Sequence, residues 1–434
     1  MRQGTSGGIY LRPLLGWVMA AGLSATSMSA VAQDISGQIE YGYWGNAARA
    51  EVTEAVSRLF EAKYPGTTVT GVSAEYVAYI ERLTVQAAAS ELPCVTQVQT
   101  TFLATYARRG ALLPLDDLIA SGAIDVSGIP ASVLETGKIE GKQYFIPTGV
   151  FLRLLAINKT MAEANGIPIL ASPATYEQYE AWLRDAQTKL PSGVFAAENE
   201  AVNMFTLYSW VTGHGEELFD GQNLAVSQET LTSFFAFWDK LAKDGVAIPP
   251  DRIDELVGSI ELTPMSTGTA LTGTKDIPHA ALIEGVLGQS GTPSEVVMVS
   301  NPENPDAHGN VPGGNGLAIS ANCNNVPVAA AYINYFSNDP EAAVAFRSSN
   351  GVAISSTGRQ ALLDNPDTPA NVRRSLSVLD SFAASGDIAA ASYPAGYQAL
   401  PPLLRRVYED IAFNGVTPED AAKTFAAEAA TLLQ

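Results

Sequence analysis

Cysteine, histidine and charge are all scarce in this chain: two Cys, three His and 16% charged residues among 434. Cys94 and Cys323 stand far apart and His214, His279 and His308 are isolated, so the paired short spacings of zinc sites are missing and no metal or cofactor is expected. Gly-x-Ser-x-Gly elbows, His-Glu-x-x-His helices and phosphate loops are also lacking, which removes the commonest recognisable catalytic motifs. Basic residues are the rarer charge, 25 against 45 acidic, and a net charge of -20 disfavours nucleic acid and anionic membranes as partners. The apolar run at 14–23 is shorter than the roughly 20 residues a membrane-spanning helix needs.

That run follows Arg2 and Arg12 and leads to Ala30-Val31-Ala32, small residues where a signal peptidase cuts. Residues 1–32 therefore read as a signal peptide cleaved before Gln33, and the mature protein as periplasmic. With no Cys near the cut, a lipid anchor is not expected. In an oxidising compartment Cys94 and Cys323 are a candidate disulfide, provided the fold brings their Cα atoms within roughly 7 Å. The length suits two large domains or three small ones.

Residues 38–72 read as strand, loop, helix, strand. Ile39, Tyr41 and Tyr43 alternate as in a strand, while Val52, Ala55, Val56, Leu59 and Phe60 recur at helical spacing until Pro65-Gly66. Tyr43, Trp44, Gly45 and Asn46 then lie at the carboxyl end of a strand, where open α/β sheets place ligands. Trp44 is either a ligand-facing ring or core. Strand and helix go on alternating, which implies a parallel sheet. Asp116 and Asp117, adjacent in one turn, suit a helix dipole better than a catalytic pair.

Further on, Thr175 and Gln178 form a capping box before a helix. Tyr208 and Trp210 lie on another helix, where one can face a cleft and the other core. A Gly-, Thr- and Pro-rich stretch, 262–291, carries Lys275, Asp276 and His279 and reads equally as a functional loop or as an exposed connection back to the first lobe. Gly313-Gly314-Asn315-Gly316 precedes a strand, which fits close backbone approach to a ligand, with the Asn315 amide able to bond a hydroxyl. Tyr393-Pro394-Ala395-Gly396-Tyr397 is a turn bearing two aromatics.

Taken in order, the aromatic-Trp-Gly loop, Phe60-Glu61-Ala62-Lys63-Tyr64-Pro65-Gly66, Leu92-Pro93-Cys94-Val95, Gly110-Ala111-Leu112-Leu113-Pro114-Leu115-Asp116-Asp117, Glu140-Gly141-Lys142-Gln143-Tyr144-Phe145-Ile146-Pro147 and Leu154-Leu155-Ala156-Ile157-Asn158-Lys159 resemble one family. It is the extracellular solute-binding proteins of ABC importers, carbohydrate-binding family 1. Cys94 stands where that family commonly has Asp, and Ala156-Ile157 replace an aliphatic-Tyr pair. The resemblance implies an α/β, type II periplasmic-binding-protein fold, two α/β lobes joined by a multi-strand hinge. Lobe 1 would comprise 33–146 with about 262–322, and lobe 2 would comprise 147–261 with about 323–434.

The function so implied is that of a monomer without enzymatic chemistry. It closes on a small neutral solute, a sugar or polyol, and delivers it to the transmembrane subunits of an ABC permease. Expected ligand contacts are Tyr43, Trp44, Asn46, Gln97, Gln99, Thr148, Phe151, Arg153, Tyr208, Trp210, Asp276, Gly314, Asn315 and Tyr393. Few basic residues flank these loops, Arg153 being the exception, hence the expectation of a neutral ligand. The alternative is a secreted hydrolase, such as a glycosidase with paired carboxylates, which 45 acidic residues do not exclude.

Overall fold

The computed structural model describes residues 35–433 apart from 257, 292, 389 and 390. The expected signal peptide and its cleavage site lie outside them. Among the described residues nine strands form one mixed sheet: β1 (Gly37–Trp44), β2 (Thr67–Ala74), β3 (Val95–Gln99), β4 (Phe145–Asn158), β5 (Phe195–Ala197), β6 (Ala270–Asp276), β7 (Val296–Val299), β8 (Val311–Ile319) and β9 (Val352–Ala353). The spatial order is β2-β1-β3-β8-β4-β6-β5, with β7 and β9 also paired to β4. β1 runs parallel to β2 and β3, as the alternation of strand and helix predicts, whereas β8 is antiparallel to both β3 and β4.

Hydrophobic side chains separate into cores on either side of two crossing strands. Around β1 and helix α1 (Ala47–Lys63), the residues Ile39, Tyr41, Val56, Phe60, Ile146 and Leu317 pack together. Leu155, Ile157, Leu207, Phe234, Leu404 and Phe425 build the second lobe. β4 supplies Ile146 to the first lobe and Ile157 to the second; β8 returns with Val311 in the second and Ile319 in the first. These two strands are the hinge. Their register shifts between Asn315 and Gly316, leaving Thr148 as the extra residue of a bulge.

The division between lobes differs from the expected one. β6 pairs with the second-lobe half of β4, Thr272 against Ile157, and Ala270, Ala280 and Ile283 pack with Ala156. The loop-rich stretch from 262 is thus a strand of the second lobe, and the chain returns only with β8. Helix Val326–Asn338, expected in lobe 2, places Val328, Tyr332, Ile333 and Phe336 against the core of β1.

The Gly-rich turn is also corrected. A Cβ at Gly313 would overlap the ring of Phe151, and one at Gly316 the ring of Phe145, so these glycines admit hinge aromatics and leave no call for a ligand. Gly314 carries no such demand, since a Cβ there would meet Thr100 and Thr136 at an ordinary 3.6 Å. Cys94 and Cys323 are joined as a disulfide, with Cα atoms 4.5 Å apart. Among the described residues no helix is long and apolar enough to cross a membrane.

Candidate ligand-binding site

The first wall of the site is made at the carboxyl ends of β1, β2 and β3, where helices α1, α2 (Tyr76–Ala89) and α3 (Thr100–Arg108) begin. Gln99 is its centre. Its Oε1 accepts from the Tyr76 hydroxyl at 3.1 Å and from Thr101 Oγ1 at 2.7 Å, and its Nε2 donates to Asn315 Oδ1 at 3.2 Å. Asn315 Nδ2 donates in turn to Asn350 Oδ1 at 3.1 Å, and Thr148 Oγ1 donates to the Asn315 carbonyl at 3.3 Å. Gln99, Thr148 and Asn315, expected from the sequence, are thereby gathered with Tyr76, Thr101 and Asn350, which were not.

Other expected contacts are spent on the fold itself. Trp44 is 6% exposed and lies against Tyr79 and Phe102, with ring centroids 5.5 and 6.1 Å away, so the core reading holds. Tyr76 meets its edge at 5.6 Å and keeps 36% of its own surface in solvent, and is the ring that the wall presents. Tyr43 packs on Tyr41 in the opposite core, because successive strand residues point to opposite faces. Asn46 caps α1, accepting from Arg49 N–H at 3.1 Å, and buried Gln97 accepts from Trp44 N–H at 3.1 Å.

Arg49 belongs to this wall as well. Its stem lies across Gly45, where φ is +154° and a Cβ would fall 2.5 Å from Arg49 Cδ. Nη1 donates to the Trp44 carbonyl at 3.4 Å and Nη2 to the Ser349 carbonyl at 2.6 Å. Burial lowers its pKa from the ordinary arginine value. The available signal was a Gly four residues ahead of an Arg, on a helix with no acid in its first turn.

The second wall is charged and aromatic. Arg153 Nε lies 2.7 Å from Asp276 Oδ1, and the guanidinium sits 4.3 Å over the ring of Phe205. Phe151 meets Phe205 edge-on at 5.9 Å, and Tyr393 lies 6.3 Å from it while donating its hydroxyl to the Pro312 carbonyl at 2.9 Å. Phe151, Arg153, Asp276 and Tyr393 are thus brought together, although Phe151 and Tyr393 keep only 4% and 9% of their surface exposed and Tyr393 packs into the second core behind the wall. Tyr208 and Trp210 are not, since both are buried in the second core; Tyr208 donates to the Ser392 carbonyl and Trp210 Nε1 to Ser233 Oγ.

His279 closes the floor, its Nδ1 accepting from Asp276 N–H at 3.3 Å. Burial, helped by Arg153, Lys275 and Arg49, pushes its pKa well below the ordinary histidine value, yet 27% of its side chain still meets solvent. Burial likewise raises the Asp276 carboxyl, opposed by Arg153 and Lys275. The walls are coupled electrostatically: Arg49 adds to the lowering of the His279 pKa, and Arg153 opposes the rise that burial imposes on the Tyr76 hydroxyl. At one rim they touch: Gln398 Nε2 donates to Thr101 Oγ1 at 3.0 Å, and Gly396 N–H to Thr105 Oγ1 at 3.2 Å. Separate cavities of about 170 Å³, beside Leu92 and Asn322, and about 20 Å³, beneath Tyr176 and Trp238, share no residue with the groove.

The model of the bacterial extracellular solute-binding protein family matches residues 55–372. Among solved structures, the chain is similar to a periplasmic solute binding protein from Pectobacterium atrosepticum, at 21% identity over 92% of this chain and 98% of that one, with a TM-score of 0.77. It is similar also to an ABC substrate-binding protein from Listeria monocytogenes in complex with cycloalternan, at 18% identity over 91% and 98% with a TM-score of 0.75. A third is a periplasmic oligogalacturonide binding protein from Yersinia enterocolitica, at 19% identity over 92% and 99% with a TM-score of 0.70. Such identities establish a shared two-lobed fold, and the family match covers most of the sequence: the chain belongs to the bacterial extracellular solute-binding proteins.

Proposed function

We propose that this protein is the periplasmic solute-binding component of an ABC importer, that its solute is a sugar or a related polyol, and that it acts as a monomer delivering the solute to the permease subunits. One observation carries the reading. A groove between two lobes has an aromatic ring on each side, Tyr76 on one and Phe205 on the other, with the amide groups of Gln99 and Gln398 beside them. Ring faces suit the apolar faces of a pyranose, and the polar groups suit its hydroxyls. Two of the similar proteins are described with carbohydrate ligands, cycloalternan and oligogalacturonide, which supports the same class here.

Binding requires no catalytic pair, and the acids near the groove are otherwise engaged. Asp276 faces Arg153, while Glu198 and Glu200 are buried beside Lys275. This favours capture over hydrolysis. β4 and β8 serve as the hinge, and the solute shifts the population toward closure by binding the closed state better. A thermal-shift screen of the mature chain against sugars, polyols, amino acids and polyamines tests the reading: saturable stabilisation by a sugar recovered intact is expected. Turnover of the sugar, or stabilisation by amino acids or polyamines alone, overturns it.

A further inference from the structure

Arg49 stands apart from the other basic groups of the groove. Arg153 has Asp276 at 2.7 Å, and Lys275 has Glu198. Among the described residues no carboxylate lies within 4 Å of the Arg49 guanidinium; Glu75 acts on it only from farther away. Its two hydrogen bonds go to the neutral carbonyls of Trp44 and Ser349. A guanidinium carries five N–H donors in a planar fork, so three are left to offer. Removing such a charge from water without a counter-ion is unfavourable, and the same low-dielectric position strengthens its attraction for an arriving anion.

Three neighbouring features point the same way. Helix α1 opens with Ala47 and Ala48 and has no acid in its first turn, so the positive end of its dipole is unopposed. Asn350, next to the Ser349 carbonyl that holds Arg49, is 4% exposed, and its Nδ2 has no partner. Gly45 has the positive φ and empty Cβ position that let the Arg49 stem fold back toward these carbonyls. In a chain of net charge -20, an acid to pair with Arg49 would have been the easiest residue to supply.

We propose that the ligand carries a carboxylate, as an acidic sugar of the hexuronate class or its short oligomers, and that Arg49 receives that carboxylate while Tyr76 and Phe205 hold the ring. The inference rests on the sugar-binding reading and narrows it, departing from the neutral ligand expected from the sequence. Arg153 stays paired with Asp276, so the groove presents one uncompensated positive charge and suits one carboxylate at a time. An Arg fork meets a carboxylate with two parallel hydrogen bonds, a geometry that a hydroxyl cannot reproduce.

The test is calorimetric titration of the mature protein with D-galacturonate, D-glucuronate and their dimers and trimers, against the matching neutral hexoses and oligomers, and against succinate. We expect at least one uronate series to bind tenfold or more tighter than its neutral counterpart, with the preference shrinking severalfold between 50 and 500 mM NaCl. Arg49→Gln should bring the two series to within about threefold of each other, and Arg49→Lys, which keeps the charge but loses the fork, should retain part of the preference. Thermal melts establish that both variants fold; if Arg49→Gln does not, the wild-type panel and Arg49→Lys decide. Equal or tighter binding of the neutral series overturns the acidic ligand and leaves the sugar reading standing. Binding of succinate alone, or of nothing in the panel, overturns both. A uronate preference that survives Arg49→Gln undiminished removes Arg49 from the proposal.

Discussion

Lys275 is a buried cation and Arg49 a partly buried one in the opposite lobe, and the chain treats them differently. Lys275 meets Glu198, whose other oxygen accepts from Met265 N–H at 3.0 Å. Glu200 beside them accepts from Thr274 N–H at 2.6 Å, Asn203 Nδ2 at 2.7 Å and Thr206 Oγ1 at 2.8 Å. Both carboxylates are met within the chain. Around Arg49 the direct contacts are neutral carbonyls, and Glu75 acts on the charge only from farther away. The contrast separates a polar cluster that builds a lobe from one that awaits a visitor.

The comparison is broken most directly at its closed side. Glu198→Ala leaves Lys275 buried without its partner and should cost about 3 to 5 kcal/mol in chemical denaturation. A loss below about 1 kcal/mol would mean that Lys275 reaches solvent, and the distinction between the two cations would fall. Trp44→Ala, behind the open side, should cost about 3 kcal/mol through the cavity left among Tyr79 and Phe102. Weaker ligand binding with unchanged stability would instead return Trp44 to the ligand. Gly45→Ala places a Cβ against the Arg49 stem at an unfavourable φ and is expected to cost about 1 to 3 kcal/mol. Titration of this variant should show whatever charge selectivity the groove has diminished.

Smaller effects sharpen the picture. Gln398→Ala removes one hydrogen bond between the lobes, worth about 1 kcal/mol, so affinity should fall about fivefold with little change in melting temperature. The smallest expected effect concerns pH. His279 has a folded pKa well below the ordinary 6.5, so on acidification the unfolded chain takes up the proton first. Its contribution is fully present above about pH 6.5 and is lost as pH falls below that. Between pH 7.5 and 5 the melting temperature of the wild type should therefore drop by roughly 2 °C more than that of His279→Gln. An equal drop would mean that burial does not hold the His279 pKa below its ordinary value.

Much of the first lobe was legible because periodicity reports which residues share a face. It does not report whether both faces are covered. β1 lies between β2 and β3 with packed side chains on either side, so Tyr43 and Trp44, pointing opposite ways, each enter a core and neither reaches the groove. Gly313 and Gly316 were recognisable as a place needing small residues, but what presses on them is aromatic rings contributed by a strand more than 160 positions earlier. Arg153 and Asp276 were each singled out; that they pair follows from the antiparallel register of β4 and β6, which no local pattern encodes. Arg49 was overlooked because a lone Arg in a helix ordinarily reads as surface.

The link between Cys94 and Cys323 has a consequence for the order of events in the chain's life. It spans 229 positions and encloses most of the second lobe, 158–310, as a guest inside the first. The host lobe cannot be completed until that guest has been translated and residues beyond 320 have arrived. In the chain-entropy account, closing so long a loop disfavours the unfolded ensemble by about 5 kcal/mol. A single protease cut within the guest would leave the two fragments of the host covalently joined, so a nicked molecule should migrate as one species until it is reduced.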